Sequence, residues 1–337
     1  METERPEPGA MGDDPVHVGI RVALRYRLPA GAEASFTDVV GVVTAVDASQ
    51  VTVDSRRGAV TVARSDVVAV RAVPPGPSRP GRAHRVAAVR DLERVMAQGW
   101  VAVDRAELGA WQLRASSGFT RRANSVLPLG DPGLPVEKAV ELAERWYAGR
   151  DLPTLFHLDL PAGGGDVEDD PLGSLLLRRG YAVEAPSVVM TGAALDIGPP
   201  PAQSAPVSAD GELTVAWLHA YGHQRSVLPG VTEQVLTGSA GQLFLSSTDD
   251  AGTIRGLVRM SVHPGWAGIH ALWVDPDHRG RGRGRDLVRA VAALAVRHRM
   301  PSVYLQVLAE NAPAQRLFAS LGLAEHHAYA YVAHRPG

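Results

Sequence analysis

Between residues 15 and 75 apolar positions alternate with polar or small ones. Val18, Ile20, Val22, Leu24 and Tyr26 keep the period of a half-buried strand. Further β-rich runs lie at 39–46, 51–54, 60–63 and 67–73, divided by turn-forming stretches at Pro29-Ala30-Gly31, Asp47-Ala48-Ser49 and Arg56-Arg57-Gly58. Five short strands in one small unit predict a β-barrel of the SH3-like kind. Pro- and Gly-rich residues 76–84 then read as a linker.

Helix and strand signals mix over 85–195. Helices are predicted at 86–98 and 136–150, and strands at 109–115, 155–160 and 186–191. Pro-rich residues 196–210 read as a second linker before a last domain at 211–337. The two larger segments repeat one another. Residues 139–156 and 286–304 each run as helix, short basic turn, proline and apolar strand. A leucine-rich helix ending in Gly180 or Gly322 follows in each, and then a β run, at 186–191 or 329–333.

Composition narrows the possibilities. Hydrophobic residues make up 45% of the 337, so cores can form, and the chain holds no cysteine, which excludes thiolate metal sites, disulfides and cysteine nucleophiles. Lys138 is the one lysine; the remaining positive charge is arginine. A net charge of −2 argues against a dedicated nucleic-acid or polybasic membrane binder. The acidic residues 1–14 read as a disordered tail and lack the basic start and apolar run of a signal peptide. No stretch approaches a membrane span, so a soluble cytoplasmic protein is expected.

The densest chemistry lies at 269–298. An apolar strand, 269–274, ends at Asp275-Pro276-Asp277 and is followed by Arg279-Gly280-Arg281-Gly282-Arg283-Gly284-Arg285 and a helix with Leu287, Val291 and Leu294 on one face. Free N–H groups and the positive end of the helix dipole converge there on an anion. Glycines let backbone approach a phosphate, and arginines add forked donors, so a pyrophosphate is the expected guest. No Gly-Lys-Ser/Thr follows, which excludes a P-loop, and the G-x-G-x-G spacing departs from a dinucleotide fingerprint.

With the strand before it, Arg279-x-x-Gly282-x-Gly284 resembles the acetyl-CoA loop of the GNAT (GCN5-related N-acetyltransferase) superfamily. Residues 305–322, with Asn311-Ala312-Pro313-Ala314, resemble the second half of that signature. The resemblance covers about 211–337, and 85–195 looks like a degenerate copy that has lost its loop. Together with the barrel, the arrangement resembles actinobacterial acetyltransferase-like proteins. It implies an α/β (α+β) GNAT fold, a mixed sheet with splayed parallel strands, preceded by the degenerate repeat and the SH3-like barrel.

The resemblance also implies acetyl-CoA as cofactor and direct acetyl transfer to a primary amine on a small molecule or peptide. Backbone at Leu272, Trp273 and Val274 would meet the pantetheine, Arg279 to Arg285 (including Gly280, Arg281, Gly282, Arg283 and Gly284) the pyrophosphate, and Asn311, Ala314 and Phe318 the sulfur end. Many family members place a tyrosine acid where Phe318 stands. Here Tyr329 or Tyr331 supplies the proton, or the thiolate departs unaided, or catalysis is impaired. His270 is the first candidate base and Glu310 the second. No metal site is expected: His326 and His327 are neighbours on a strand and should point to opposite faces. A monomer or homodimer is expected. The rival readings are a non-catalytic acyl-CoA sensor and a nucleic-acid-associated protein acting through the barrel.

Overall fold

The structure is a computed structural model, in which residue 16 and residues 20–29, 35–55, 58–72 and 83–334 are described. The acidic tail and most of the first linker lie outside these. The chain divides into two compact units, at residues 1–77 and 78–337.

The first unit is a five-stranded antiparallel sheet of β1 (Arg21–Arg27), β2 (Phe36–Val46), β3 (Gln50–Ser55), β4 (Gly58–Ala63) and β5 (Val67–Ala72), in the order β4-β3-β2-β1-β5. The predicted alternation holds. Val22, Leu24, Val39, Val43, Val51, Val53 and Val62 form its buried cluster, because period-two side chains on paired strands share one face.

The second unit begins with α1 (Ala83–Val86), α2 (Val89–Gly99), β6 (Asp104–Leu108), β7 (Trp111–Ala115), β8 (Leu127–Pro128), α3 (Val136–Ala148), β9 (Leu155–Leu160), α4 (Pro171–Arg178) and β10 (Tyr181–Ala193). It continues with α5 (Ala194–Ile197), β11 (Val207–Asp210), α6 (Val215–Gly222), α7 (Val231–Thr237), β12 (Gln242–Thr248), β13 (Ile254–His263) and β14 (Trp266–Val274). It ends with α8 (Arg283–Arg297), β15 (Ser302–Leu308), α9 (Ala312–Ala319) and β16 (Ala324–His334).

The predicted repeat appears as matching elements, α3-β9-α4-β10 against α8-β15-α9-β16. The two halves nevertheless share one sheet, in the order β11-β12-β13-β14-β15-β10-β16-β9. A single parallel bridge, Val126 to Phe156, joins β9 to the β6-β7-β8 sheet. The last strands of the halves are exchanged. β10 pairs with β15 from Ser187–Leu308 to Ala193–Ser302, and β16 pairs with β9 from Ala328–Leu160 to Ala333–Leu155. The boundary expected at 196–210 therefore separates no two sheets, and part of that stretch is the edge strand β11.

Alternation along the strands assigns the helices to faces. Ile269, Leu305, Val188 and Met260 meet Leu287, Val291 and Phe318 of α8 and α9. On the same face Phe156, Leu158 and Val332 meet Val140, Ala143 and Leu176 of α3 and α4. The opposite face carries α2, α6 and α7, with Leu92 and Met96 against Tyr304 and Val189, and Trp217 and Tyr221 against Phe244 and Leu257. Among the described residues no helix is long and apolar enough to cross a membrane.

Candidate active site

β14 and β15 run parallel and pair only from Trp266–Ser302 to Ile269–Leu305. Beyond that point the strands part, as the resemblance implies. The cause is a bulge. Leu257 faces Trp273 and Arg259 faces His270, so β14 carries one residue more than β13 there, and Ala271 sits at φ 55°. The extra residue also puts His270 and Trp273, three apart, on one face of the sheet. Leu272 and Val274 pack toward α8.

The loop after β14 is fixed at its base. Arg255 contacts Asp249 (2.7 Å) and Asp275 (2.8 Å), and the hydrogen bond from Arg255 holds the Asp275 carboxyl below its usual range. Asp275 Oδ1 accepts from Asp277 N. Gly280 and Gly282 adopt φ of 74° and 82°, and no atom lies within 4 Å of where either would carry a Cβ. Gly282 starts α8 without a side-chain cap, and the first nearby N–H to reach a carbonyl is that of Asp286, onto Gly282 O. The N–H groups of Arg283, Gly284 and Arg285 therefore project from the helix start.

The arginines of the loop divide by role. Arg283 is turned back to β12, donating to Ser247 Oγ (2.7 Å) and Thr248 O (3.2 Å). Arg279 Nε donates to Val274 O (3.1 Å), so the carbonyl expected to await the pantetheine already has a partner. Arg281 is exposed and Arg285 half-buried. A cradle of free N–H groups, open glycines and two arginine side chains fits a pyrophosphate.

α9 flanks the parted strands. The Asn311 side chain caps that helix, accepting from Ala314 N (3.2 Å). Ala314 and Leu317 pack on the core below, and a Cβ on Gly284 would lie 3.5 Å from Leu317. Phe318 is buried in that core with Leu287 and Leu321. Glu310 is exposed on the turn before α9.

His270 lies in a buried polar network on the opposite face. Its Nε2 is 2.9 Å from Ser261 Oγ, which also meets Tyr304 Oη (3.1 Å) and His263 Nε2 (3.1 Å). Burial, then Arg259, Arg122 and His263, push His270 well below the usual histidine range, so its imidazole is neutral. Burial and Arg259 lower His263 to about 4. Arg259 is fully buried and donates to Leu236 O (2.7 Å), Gly99 O (2.8 Å) and Ser239 Oγ (2.6 Å). Gly99 and Gly268 leave room for the network; a Cβ on either would strike Tyr304 Oη and Ser261 Oγ. The first half supplies the cover, since Trp100 lies 5.5 Å from the His270 ring.

Two expectations change here. Tyr329 and Tyr331 share the His270 face, but β15 and β10 intervene between β14 and β16. Three strand spacings, roughly 14 Å, separate those tyrosines from β14. The strand exchange has moved the last strand of this half beside β9, where Tyr329 stacks on His157 (4.1 Å). Neither tyrosine is placed to protonate a thiolate between β14 and β15. The paired histidines differ as well. The register shifts between Val189–His327 and Met190–Glu325, leaving His326 in a bulge, so both rings meet with Nδ1 atoms 2.8 Å apart.

Several groups at the site went unread in the sequence: Arg255, Arg259, Ser261, Tyr304 and Gln224, whose Nε2 donates to Ala271 O at the bulge (3.2 Å). Period-two spacing on β13 places Arg259, Ser261 and His263 on one face. It was the only signal available for them.

Comparison with known proteins follows the same division of the chain. The family model described as "Probable histone acetyltransferase Rv0428c C-terminal" matches residues 86–332, and "Rv0428c N-terminal Sm-like domain" matches 16–71. The first unit is accordingly Sm-like, where the strand pattern had suggested SH3-like. "Probable histone acetyltransferase Rv0428c" of Mycobacterium tuberculosis is 40% identical over 136 residues, 40% of this chain and 42% of that protein. The chain thus aligns with less than half of that relative. "Uncharacterized N-acetyltransferase YobR" of Bacillus subtilis is 26% identical over 248 residues, 71% of this chain and 97% of that protein. A solved GCN5-related N-acetyltransferase from Kribbella flavida shares the fold, with a TM-score of 0.53 and 16% identity over 75% of this chain and 98% of that one.

Proposed function

The chain belongs to the family described as the C-terminal domain of a probable histone acetyltransferase, within the GNAT superfamily of acyltransferases, and from that premise we propose that it transfers an acetyl group from acetyl-CoA to a primary amine. The uncapped start of α8 beside the parted β14 and β15 carries this reading. The N–H groups of Arg283, Gly284 and Arg285, with the Arg281 and Arg285 side chains, hold the pyrophosphate. Backbone at Leu272 and Trp273 lines the gap for the pantetheine. When bound, acetyl-CoA supplies the thioester that the amine attacks.

The chain's own groups handle the proton. His270 is the base we assign: its imidazole is neutral and, held well below the usual histidine range, it carries the amine proton only briefly before returning it to the departing thiolate, while Ser261 Oγ, which also meets Tyr304 Oη, holds its Nε2. Phe318 has no proton to give, so the thiolate leaves without a side-chain acid from α9. The acceptor is a small molecule or peptide amine. The name of the mycobacterial relative makes a lysine-rich peptide a sensible member of an acceptor panel.

Release of free thiol from acetyl-CoA, followed across such a panel, tests the proposal. Turnover with at least one amine is expected. A second reading, an acyl-CoA sensor that never turns over, is favoured by Phe318 and by the distance of Tyr329 and Tyr331. Calorimetric binding without thiol release on any amine supports that reading, and absence of binding removes both.

A further inference from the structure

A second cluster of chemistry-bearing side chains lies in the first half, away from the parted β14 and β15. Glu93 projects from α2, and His157 and Asp159 project from alternate positions of β9, which places them on one face of that strand. Glu93 Oε1 is 3.4 Å from His157 Nε2, and His157 Nε2 is 3.5 Å from Asp159 Oδ1. One ligand atom from each of the three lies within 4.8 Å of the others. Nothing in the acetyl-transfer reading uses them.

His157 lies at ion-pair distance from both carboxylates, which despite its burial hold its imidazole above the usual histidine range, but these contacts leave hydrogen bonds unfilled. Glu93 and His157 are each about 1% exposed. Both ring nitrogens of His157 and Asp159 Oδ1 are buried without a hydrogen-bond partner. Charged pairs that bond directly close to about 2.8 Å, and buried polar groups left unpaired are costly. The distances from His157 Nε2 to the two carboxylates, 3.4 and 3.5 Å, also match groups that share a cation. With metal–ligand bonds of about 2.05 Å, neighbouring ligands of a tetrahedral Zn²⁺ lie roughly 3.3 Å apart.

The surroundings hold these groups in place. His327 Nε2 lies 3.0 Å from Glu93 Oε1, and His326 Nε2 donates to Ala87 O (2.9 Å). Tyr329 stacks on the His157 ring with 14° between planes. Such outer contacts orient metal ligands. The buried Arg114 guanidinium is engaged by Ser125 O and Oγ (3.0 and 2.8 Å). Asp159, with Arg90, Trp111 and Leu158, lines a cleft of about 480 Å³, so the cluster borders that cleft at Asp159.

We propose that Glu93, His157 and Asp159 bind one divalent transition-metal cation of the Zn²⁺ type, which enters from the cleft that Asp159 lines. One imidazole and two carboxylates suit a borderline cation; all-oxygen shells suit Mg²⁺ or Ca²⁺, and thiolates Cu⁺. Two carboxylates and an imidazole that gives up its proton to the incoming ion also balance a 2+ charge.

The test uses tag-free, full-length protein stripped with chelator and titrated with Zn²⁺ alone by calorimetry, then with Co²⁺ followed by visible absorption. One equivalent should bind, with the intense d–d bands of a four-coordinate Co²⁺ site. His157→Gln and Asp159→Asn should each lower affinity by about 10-fold or more. Asp159→Asn keeps the size of the side chain, so the circular dichroism of the metal-free protein should be unchanged, and any shift of its thermal transition reads the His157 contact apart from metal binding. Absence of stoichiometric binding, or binding equally tight in both variants, overturns the site.

Discussion

Gly282 offers the sharpest probe of the proposed cofactor loop. It starts α8 at φ 82°, and no atom lies within 4 Å of a Cβ placed there. Gly282→Ala therefore adds only left-handed backbone strain, about 1–2 kcal/mol, and lowers the melting temperature by a few degrees. Gly282→Asp adds comparable strain, which aspartate tolerates well, and places a carboxylate before the free N–H groups of Arg283 to Arg285. At about 5 Å from a doubly charged pyrophosphate and an effective dielectric of about 40, that charge costs roughly 3 kcal/mol. Affinity for acetyl-CoA should fall roughly 150-fold. Titration calorimetry with acetyl-CoA on parent, Ala and Asp proteins, each with a thermal melt, separates strain from charge. If the Asp variant is folded and binds within about threefold of the parent, the pyrophosphate does not sit on this helix start.

The buried network makes stability depend on pH. His270 is pushed well below the histidine range in the folded chain and His263 to about 4, so the unfolded chain takes up protons that the folded one refuses. That stability is complete above about pH 6.5 and is lost as pH falls, by up to about 1.4 kcal/mol per unit for His270. Urea unfolding at pH 7, 6 and 5 should show the decline, and His270→Asn should flatten it; an equal slope in both proteins refutes the assignment. The strand exchange has its own consequence. After cleavage at a protease site inserted within 199–206, the two pieces should still elute together and bind acetyl-CoA. Separation without denaturant contradicts the shared sheet.

The glycine loop and the α3-β9-α4 and α8-β15-α9 segments were legible because each is local, whereas the parting of β14 from β15 was only implied by the family resemblance. A 3.6-residue stripe, an alternation and a glycine run report on a few neighbouring residues. The exchange of β10 and β16 was not legible. Both strands alternate in the same way whichever neighbour they take, so Tyr329 and Tyr331 could be assigned a face but not a place across the sheet. Bulges hid the rest. One extra residue near Ala271 brings Trp273 to the His270 face, and another at His326 brings two adjacent rings together, against the period of two on which the expectations rested. Nothing in the local sequence marks Arg259 and Glu93 as buried; tertiary packing encloses both.

The comparison of the halves shows why one retains the anion cradle and the other does not. In the first half the segment between β8 and α3 uses its polar groups internally. Ala110 N donates to Asp131 O (2.7 Å), Gly133 N to Asp131 Oδ1 (2.8 Å), and Leu129 N to Ala110 O (3.2 Å). Asp131 thus places a carboxylate where the second half has arginines, and Pro132 and Pro135 contribute no N–H at all. An anion there meets charge of its own sign and few donors. Yet the first half cannot be dispensed with. Its β10 fills the gap between β15 and β16, and its α2 ends at Gly99, whose carbonyl receives Arg259 (2.8 Å) and Ser239 (3.1 Å) over the His270 network. Without that cover and that strand, Arg259 would lose one of its three acceptors and β15 the whole of one hydrogen-bonded edge. The degenerate half is therefore held in the fold by the architecture of the half that kept its loop, independently of any ligand of its own.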